Sequence, residues 1–426
     1  MSNTNAHGLV ESPAQHSPLV KSENVNHNGA TDSTTEPKDT LAIIAVTLAA
    51  IAAFLNVFAT QPLLPLFEQI FHASKAEVGR SVSVTTLGVA LSATFWGTLA
   101  ERVGRRKVIV ISTFLLAIPT VLTATSTTLT QVVIWRFLQG LIVPGIFGVT
   151  IAYITEEWPR SRVPRVMSIY LTGVVFGGFL GRLLPGVAAV HQVIPFVAPR
   201  WGNGFIIIGT VEFIFGFLLW RWLRRDSPLA AGAVKNTNIF RHLRNPQLIA
   251  TCAVGFNVFF SLVAAFSYVT FYLAAPPFNL SPAKLGMLFM IYLVGLVVTP
   301  LGGIWISRAG SRTALICSVG AGIVGILLTL IPNLPVILLG LTICSSGVFI
   351  CQTASNSYIQ RIEKSGGRAS ATGLYVMVYY AGGGVAGVLP GYLWRYGQWK
   401  ACVALIVFVQ VLSVIIAGSI WKGKDA

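Results

Sequence analysis

The sequence predicts an all-α polytopic membrane protein, with twelve transmembrane helices arranged as two duplicated six-helix bundles. Three observations predict it. Of 426 residues, 54% are hydrophobic and only 10% are charged, whereas a soluble domain carries about 25% charged residues. Apolar runs long enough to cross a bilayer recur along the chain. Short motifs also repeat at a nearly fixed offset of 205 to 207 residues. A membrane β-barrel would instead show alternating segments of roughly ten residues, and no such alternation is present.

Taken in order, residues 1–39 are rich in Asn, Ser and Thr and lack an apolar core, which predicts a disordered cytoplasmic tail. They hold no signal-peptide core, so the first span is expected to direct insertion. Spans follow at 41–64, 80–100, 108–128, 130–154, 166–190, 204–223, 248–274, 284–306, 313–331, 334–358, 370–392 and 399–421. The longest later polar interruption, Trp220 to Pro246, splits them six and six. It predicts an N-terminal bundle at 40–224, a cytoplasmic linker at 225–247 and a C-terminal bundle at 248–422.

With a cytoplasmic N-terminus, the tail, the even-numbered loops and the C-tail hold 22 of the 30 Lys and Arg residues. The odd-numbered loops hold six: Lys75, Arg80, Arg200, Lys284, Arg395 and Lys400. Basic residues favour the cytoplasmic side. Both termini are therefore expected inside a bacterial cytoplasmic (inner) membrane that the chain crosses many times. The net charge of +16 follows from the same rule, since the bases fall in short clusters between spans. No nucleic-acid partner is expected. Cys252, Cys317, Cys344, Cys351 and Cys402 sit in apolar spans without metal-type spacing, so they read as packing residues. No metal and no cofactor are expected.

The halves echo each other. Ser74 to Gly79 (SKAEVG) recurs as Ser281 to Gly286 (SPAKLG). Gly97, Arg102, Gly104 and Arg106 recur as Gly303, Arg308, Gly310 and Arg312. Tyr170, Gly177, Gly178, Leu184, Pro185 and Gly186 recur as Tyr375, Gly382, Gly383, Leu389, Pro390 and Gly391. A duplicated six-span unit is a recurring transporter architecture, with substrate held between halves that rock against each other.

The stretch GTLAERVGRRK, Gly97 to Lys107, gathers Glu101 with Arg102, Arg105, Arg106 and Lys107 between two apolar spans. It resembles the signature of the major facilitator superfamily, G-x-L-a-D-r-x-G-r-k, with Glu101 in the place of the usual Asp. Arg136-Phe-Leu-Gln-Gly140 in the fourth span is similar to a second signature of that family, R-x-x-q-G. The resemblance covers the chain after the tail, and within the family it is nearest to bacterial twelve-span drug or metabolite:proton antiporters, the arabinose-efflux-permease-like group. It implies that Glu101 meets the N-terminal end of span eleven and locks the cytoplasmic side. A carboxylate at a helix N-terminus gains roughly 0.3–1 kcal/mol, a modest latch for a gate that must open. Gly97 is expected where a neighbouring helix comes close, and Gly104 at a tight turn. A plain topogenic basic loop is the alternative.

Three charges fall inside spans. Arg136 is costly there, from roughly +2.5 kcal/mol upward, so it should face a cavity or a partner. It either takes part in proton coupling or is a structural group bonded to backbone carbonyls. Span five carries Gly173, Gly177, Gly178, Gly181, Arg182, Pro185 and Gly186, a loose likeness to the glycine motif of proton-driven exporters with Arg182 where Pro is usual. Gly177, Gly178 and Gly181, with Gly382 and Gly383, are candidate packing and hinge positions. Glu212 is the one acid well inside a span; it either binds and releases the coupling proton or neutralises Arg136 or Arg182. Asn56 and Gln61 in span one, and Asn257 and Tyr268 in span seven, are candidate cavity contacts. Interhelical hydrogen bonding would explain them equally well.

The function these features predict is secondary active transport of a small molecule by alternating access, with efflux by proton antiport as the leading form and proton-coupled uptake as the alternative. Expected partners are the small molecule, protons and the bilayer, with the chain as a monomer. No phosphate loop G-x-x-x-x-G-K-[ST] occurs, which disfavours ATP-driven transport. No H-E-x-x-H or G-x-S-x-G occurs and all six His lie in the tail or loops, so an enzyme is not expected. A sensor would need a soluble domain, which the short loops do not leave. Span one holds no acid, while Arg136 and Arg182 make the outer part of the first half positive, which favours a neutral or anionic substrate.

Overall fold

The computed structural model describes residues 35–190, 200–226, 242, 244–363 and 368–422. Residues 1–34 of the expected tail, and 227–241 and 243 of the expected linker, lie outside the described residues. Among those described there is no strand, and eleven helices are long and apolar enough to cross a membrane.

The first half consists of α1 (Thr35–Val57), α2 (Leu64–Ile70), α3 (Lys75–Val103), α4 (Arg105–Ala124), α5 (Leu129–Glu157), α6 (Val163–Val190) and α7 (Asn203–Trp222). The second consists of α8 (Pro246–Ala274), α9 (Pro282–Leu288), α10 (Gly295–Ala309), α11 (Ser311–Leu328), α12 (Leu334–Ile362) and α13 (Arg368–Ile420). Helix α1 begins at Thr35, so residues 35–39 are helical and do not belong to the expected tail.

Among the described residues α13 holds both of the last two expected spans, 370–392 and 399–421, as two helices that meet at a kink inside the expected loop 393–398, so the long apolar helices number eleven. The 53 residues of α13 would measure about 80 Å if straight, far beyond a hydrocarbon core of about 30 Å. Helical backbone geometry fails only at Gly397 and at Gln398, which has φ 49°. The expected loop there contains no proline and a single glycine, so helical turns persist up to a two-residue break.

Local chemistry explains the other ends. Ser74 caps α3: its Oγ accepts from Glu77 N at 3.3 Å, and Glu77 Oε2 accepts from Ser74 N at 2.8 Å, a reciprocal capping box. Ser281 has the same backbone geometry, φ −68° and ψ 160° against −68° and 159°, and accepts from Lys284 N at 3.5 Å. Gly104 and Gly310 both turn the chain at positive φ, 103° and 84°, a region in which a side chain would be strained. The sequence repeat is thus a repeat of caps and turns.

Packing inside each half follows the same duplication. A Cβ on Gly177 would lie 2.7 Å from Ile51 Cα, and one on Gly382 would lie 2.9 Å from Phe256 Cα. Glycine lets α6 lie against α1, and α13 against α8, at backbone distance.

Candidate functional site

Among the described residues the contacts that join the two halves gather at one end. That end carries the caps Ser74 and Ser281; the opposite end carries the turns Gly104 and Gly310. Two crossings related by the duplication make the seam. At the first, α3 lies on α13: Ser83 Oγ donates to Gly384 O, and a Cβ on Gly391 would lie 2.6 Å from Ala76 Cα. At the second, α9 lies on α6: a Cβ on Gly186 would lie 2.5 Å from Pro282 O, and one on Gly286 would lie 3.0 Å from Arg182 O. Lys75 adds a cation over Phe271 and Trp394 of the other half, 5.2 and 5.3 Å from the ring centres.

At the turn end the contacts stay within one half. Arg105 pairs with Glu156, and Arg162 and Arg224 with Asp39. In the second half His242 lies 3.3 Å from Glu363, and Trp421 stacks on Tyr358 at 4.2 Å. No atom lies within 4 Å of a Cβ built on Gly97 or Gly303. The close neighbour expected beside Gly97 is absent here; α3 instead approaches α5 at Gly88, where a Cβ would lie 2.9 Å from Gly140 C. Glu101 and Arg102 are exposed, and Glu101 forms no ion pair among the described residues.

The acid that does meet a helix N-terminus is Asp226. Its Oδ1 accepts from Arg106 N at 2.9 Å, in the first turn of α4, where the helix dipole favours an anion. Arg106 also donates through Nε to Leu223 O at 3.0 Å and through Nη2 to Trp220 O. The signature loop is thereby tied to the end of α7. In the second copy Arg312 donates to Gly418 O, and Arg308 lies in the last turn of α10.

The core of the first half is built around a break in its first span. Pro62 has no amide hydrogen, and Gln61 N bonds Phe58 O at 3.0 Å rather than Val57 O. The freed Val57 O accepts from Arg136 Nη2 at 2.7 Å. Arg136 also donates to Gln139 Oε1 at 2.5 Å and to Ser81 O at 3.3 Å, and Gln139 Nε2 continues to Thr123 Oγ1 at 3.0 Å. Arg136 thus makes the bonds to backbone carbonyls that the structural alternative expects. Glu212, fully buried on α7, accepts from Asn56 Nδ2, and the Thr120 side chain reaches the same carboxylate. No ion pair joins it to Arg136 or Arg182. Glu212 Oε2 and Asn56 Oδ1 are buried without a donor.

Arg182 stands at the second crossing. Its Nε donates to Gln61 Oε1 at 2.7 Å and its Nη1 to Gly178 O. The guanidinium carbon is 4.5 Å from the ring centre of Phe58, 4.9 Å from Phe289 and 4.5 Å from Tyr292. Gln61 in turn donates to Ser267 Oγ across the seam at 3.0 Å. Among the span-seven candidates, the Tyr268 hydroxyl donates to Gly387 O of its own half at 2.7 Å and faces Gly79 of the first half, where a Cβ would lie 2.9 Å from it, while Asn257 Nδ2 is buried without a partner. Gly181 and Gly383 are packing positions against Leu55 and Phe259. Sequence reasoning missed Asp226, Phe289 and Tyr292; only an acid following the basic pair Arg224 and Arg225 could have drawn notice.

Among the described residues no three His, Cys, Asp or Glu side chains are grouped to hold a metal ion. A family model described as Major Facilitator Superfamily matches residues 46–387 and 261–424. An uncharacterized transporter of Buchnera aphidicola subsp. Schizaphis graminum is 29% identical over 379 residues, which are 88% of this chain and 90% of that protein. The inner membrane transport protein YnfM of Escherichia coli (strain K12) is 29% identical over 378 residues, 88% of each chain. In fold, the chain resembles a bacterial homolog of the human lysosomal transporter Spinster, solved in an inward-facing, unoccupied conformation. The TM-score is 0.76 at 17% identity, over 90% of this chain and 96% of the other.

Proposed function

The chain belongs to the Major Facilitator Superfamily, and from that premise we propose that it exports a small molecule by alternating access, driven by proton antiport. That it is a multi-pass membrane transporter follows from the family; direction, coupling ion and conformational state are the proposal. The observation that carries it is the one-ended seam. Two rigid bundles joined at the caps and parted at the turns are one of the two states that rocking transport requires. With the basic turn end toward the cytoplasm, this state is open inward.

Glu212 is the group proposed to carry the proton. It is buried among neutral partners, and its free oxygen and that of Asn56 both lack a donor. A protonated carboxyl adds one donor to a cluster short of one, and losing that proton leaves a charge that must be solvated or paired. Either change can shift the balance between two packings of the halves. Glu101 is proposed to engage only when the turn end closes, which fits its exposure here.

Purified protein in proteoliposomes with a trapped pH dye tests this. During a substrate screen, protons should move opposite to substrate, and Glu212→Gln should abolish that movement. Proton flux in the same direction as substrate would establish uptake by symport instead. Intact coupling in Glu212→Gln would remove Glu212 from the mechanism.

A further inference from the structure

The interior charges do not balance. Among the described residues Arg136, Arg182 and Glu212 are the ionisable side chains fully enclosed in the membrane-crossing helices, two guanidiniums against one carboxyl, which leaves at least one cation in excess. From Pro246 to Ile362 the sequence contains no acidic residue. The second half therefore offers a cationic cargo no counter-charge over five of its helices. Arg136 is committed to three acceptors of its own half, so the charge open to use is Arg182.

The surroundings of Arg182 divide by half. Gln61, Gly178 and Phe58 lie in the first half and travel with it. Phe289 and Tyr292 lie in the second half and cover the guanidinium across the seam. When the halves part at the caps, the second set leaves and the first set stays. The guanidinium then faces the gap with its orientation still fixed by Gln61 and Gly178, and no carboxylate lies within ion-pair reach. A fixed, weakly hydrated fork in a dry setting is matched by the two oxygens of an anionic group.

Beside it runs a wall of π faces. Phe58 meets Phe259 edge-on at 6.1 Å, and Phe259 stacks on Tyr379 at 4.1 Å and meets Tyr380 at 5.2 Å. Such a wall suits a flat apolar body. We infer that Arg182 anchors the anionic group of a flat, apolar-bodied cargo, an aryl carboxylate in type, and that Phe289 and Tyr292 cover the same guanidinium when no cargo is present. This rests on the transporter reading but not on its direction: the site opens on the cap side as the halves rock, so cargo would be held there on leaving in export and on entering in uptake. A ligand that binds the opened seam draws the population toward it, so binding can be measured without transport.

Full-length protein in lipid nanodiscs would be titrated with 2-naphthoate, its neutral amide and the corresponding amine, and with benzoate and benzamide. The carboxylates should bind at least tenfold more tightly than their amides, and the amine should not bind. Arg182→Gln should bring the carboxylates down to the amide level, and Arg182→Lys should keep part of the preference, since it keeps the charge and loses the fork. Amide binding within twofold of carboxylate overturns the inference. So does a preference that survives Arg182→Gln, or the absence of saturable binding by both carboxylates. The wild-type ranking and Arg182→Lys decide the matter even if Arg182→Gln fails to fold. Carboxylate binding with no flux of any kind would break the transport reading alone; proton-coupled flux of a neutral compound with no carboxylate preference would break this one alone.

Discussion

Asn56 in the first half and Ser261 in the second stand 205 residues apart, at matching points of the duplication, and their surroundings differ in kind. Around Asn56 lie a carboxylate, Glu212, and a guanidinium, Arg136, with their bonds to Gln139 and backbone carbonyls. Around Ser261 lie Ser318, Cys344, Cys351, Gln410 and Ser413, which line a cavity of about 10 Å³, the size of about one water. Gln410 Oε1 lacks a donor there, as Glu212 Oε2 does in the first half. The seam repeats the contrast: Arg182 stands where the second half has Gly387. One framework therefore carries ionisable chemistry in one bundle and neutral packing in the other.

The most damaging way to break the contrast is Arg136→Ala. Two acceptors, Val57 O and Gln139 Oε1, would lose their donor inside the bundle, while Ser81 O keeps its bond from Thr85 Oγ1. Each orphaned acceptor costs about 1–3 kcal/mol, so the variant should lose several kcal/mol or fail to assemble, with a large fall in the midpoint of thermal unfolding in detergent. No matching position in the second core bonds a broken span with a charge, so Gln410→Ala should cost far less. Equal losses would mean that the first core is held by packing alone.

How much of this could be read before the fold was known depends on whether a signal is local. Spans, caps, turns and the three interior charges are set by runs of a few residues, and each was legible. Partnership is not local. Asn56 and Glu212 are 156 positions apart, and nothing in either segment points to the other. Arg136 was marked as costly, yet its acceptor exists only because Pro62 releases Val57 O. Phe289 and Tyr292 carry no signal in their own segment; only the crossing places them over Arg182. Glu101, expected to meet a helix start, is exposed, and the anion at a helix start is Asp226, supplied from beyond the sixth span. The junction of the last two expected spans, 393–398, is where the backbone breaks, at Gly397 and Gln398.

The shared framework can be probed where the halves are alike. Gly177→Val and Gly382→Val each place a branched side chain against backbone, at Ile51 and Phe256 respectively. Overpacking costs typically about 1–3 kcal/mol, and here the obstacle is a helix that cannot turn aside as a side chain can. The two variants should lower the unfolding midpoint by similar amounts. A loss confined to Gly177→Val would mean that the second bundle tolerates displacement of its first helix, and that the duplication does not extend to rigidity.

The smallest effect should come from the caps. Ser74 and Ser281 share backbone geometry, and both hydroxyls accept an amide three residues on, at 3.3 and 3.5 Å. Replacing a capping Ser by Ala costs about 1 kcal/mol. The caps differ in their third helical residue. Glu77 returns a bond to Ser74 N, while Lys284 has no acceptor to return. Ser74→Ala should cost slightly more than Ser281→Ala, because it also removes the exposed bond that Ser74 Oγ donates to Glu77 Oε2 at 2.8 Å. Glu77→Gln, which can still accept that bond, should recover most of the difference from Glu77→Ala, as read by hydrogen exchange at the first turn of α3. If Ser281→Ala proves the costlier change, the second cap supports the α9–α6 crossing more than its own helix, and the asymmetry of the seam extends to its outer edge.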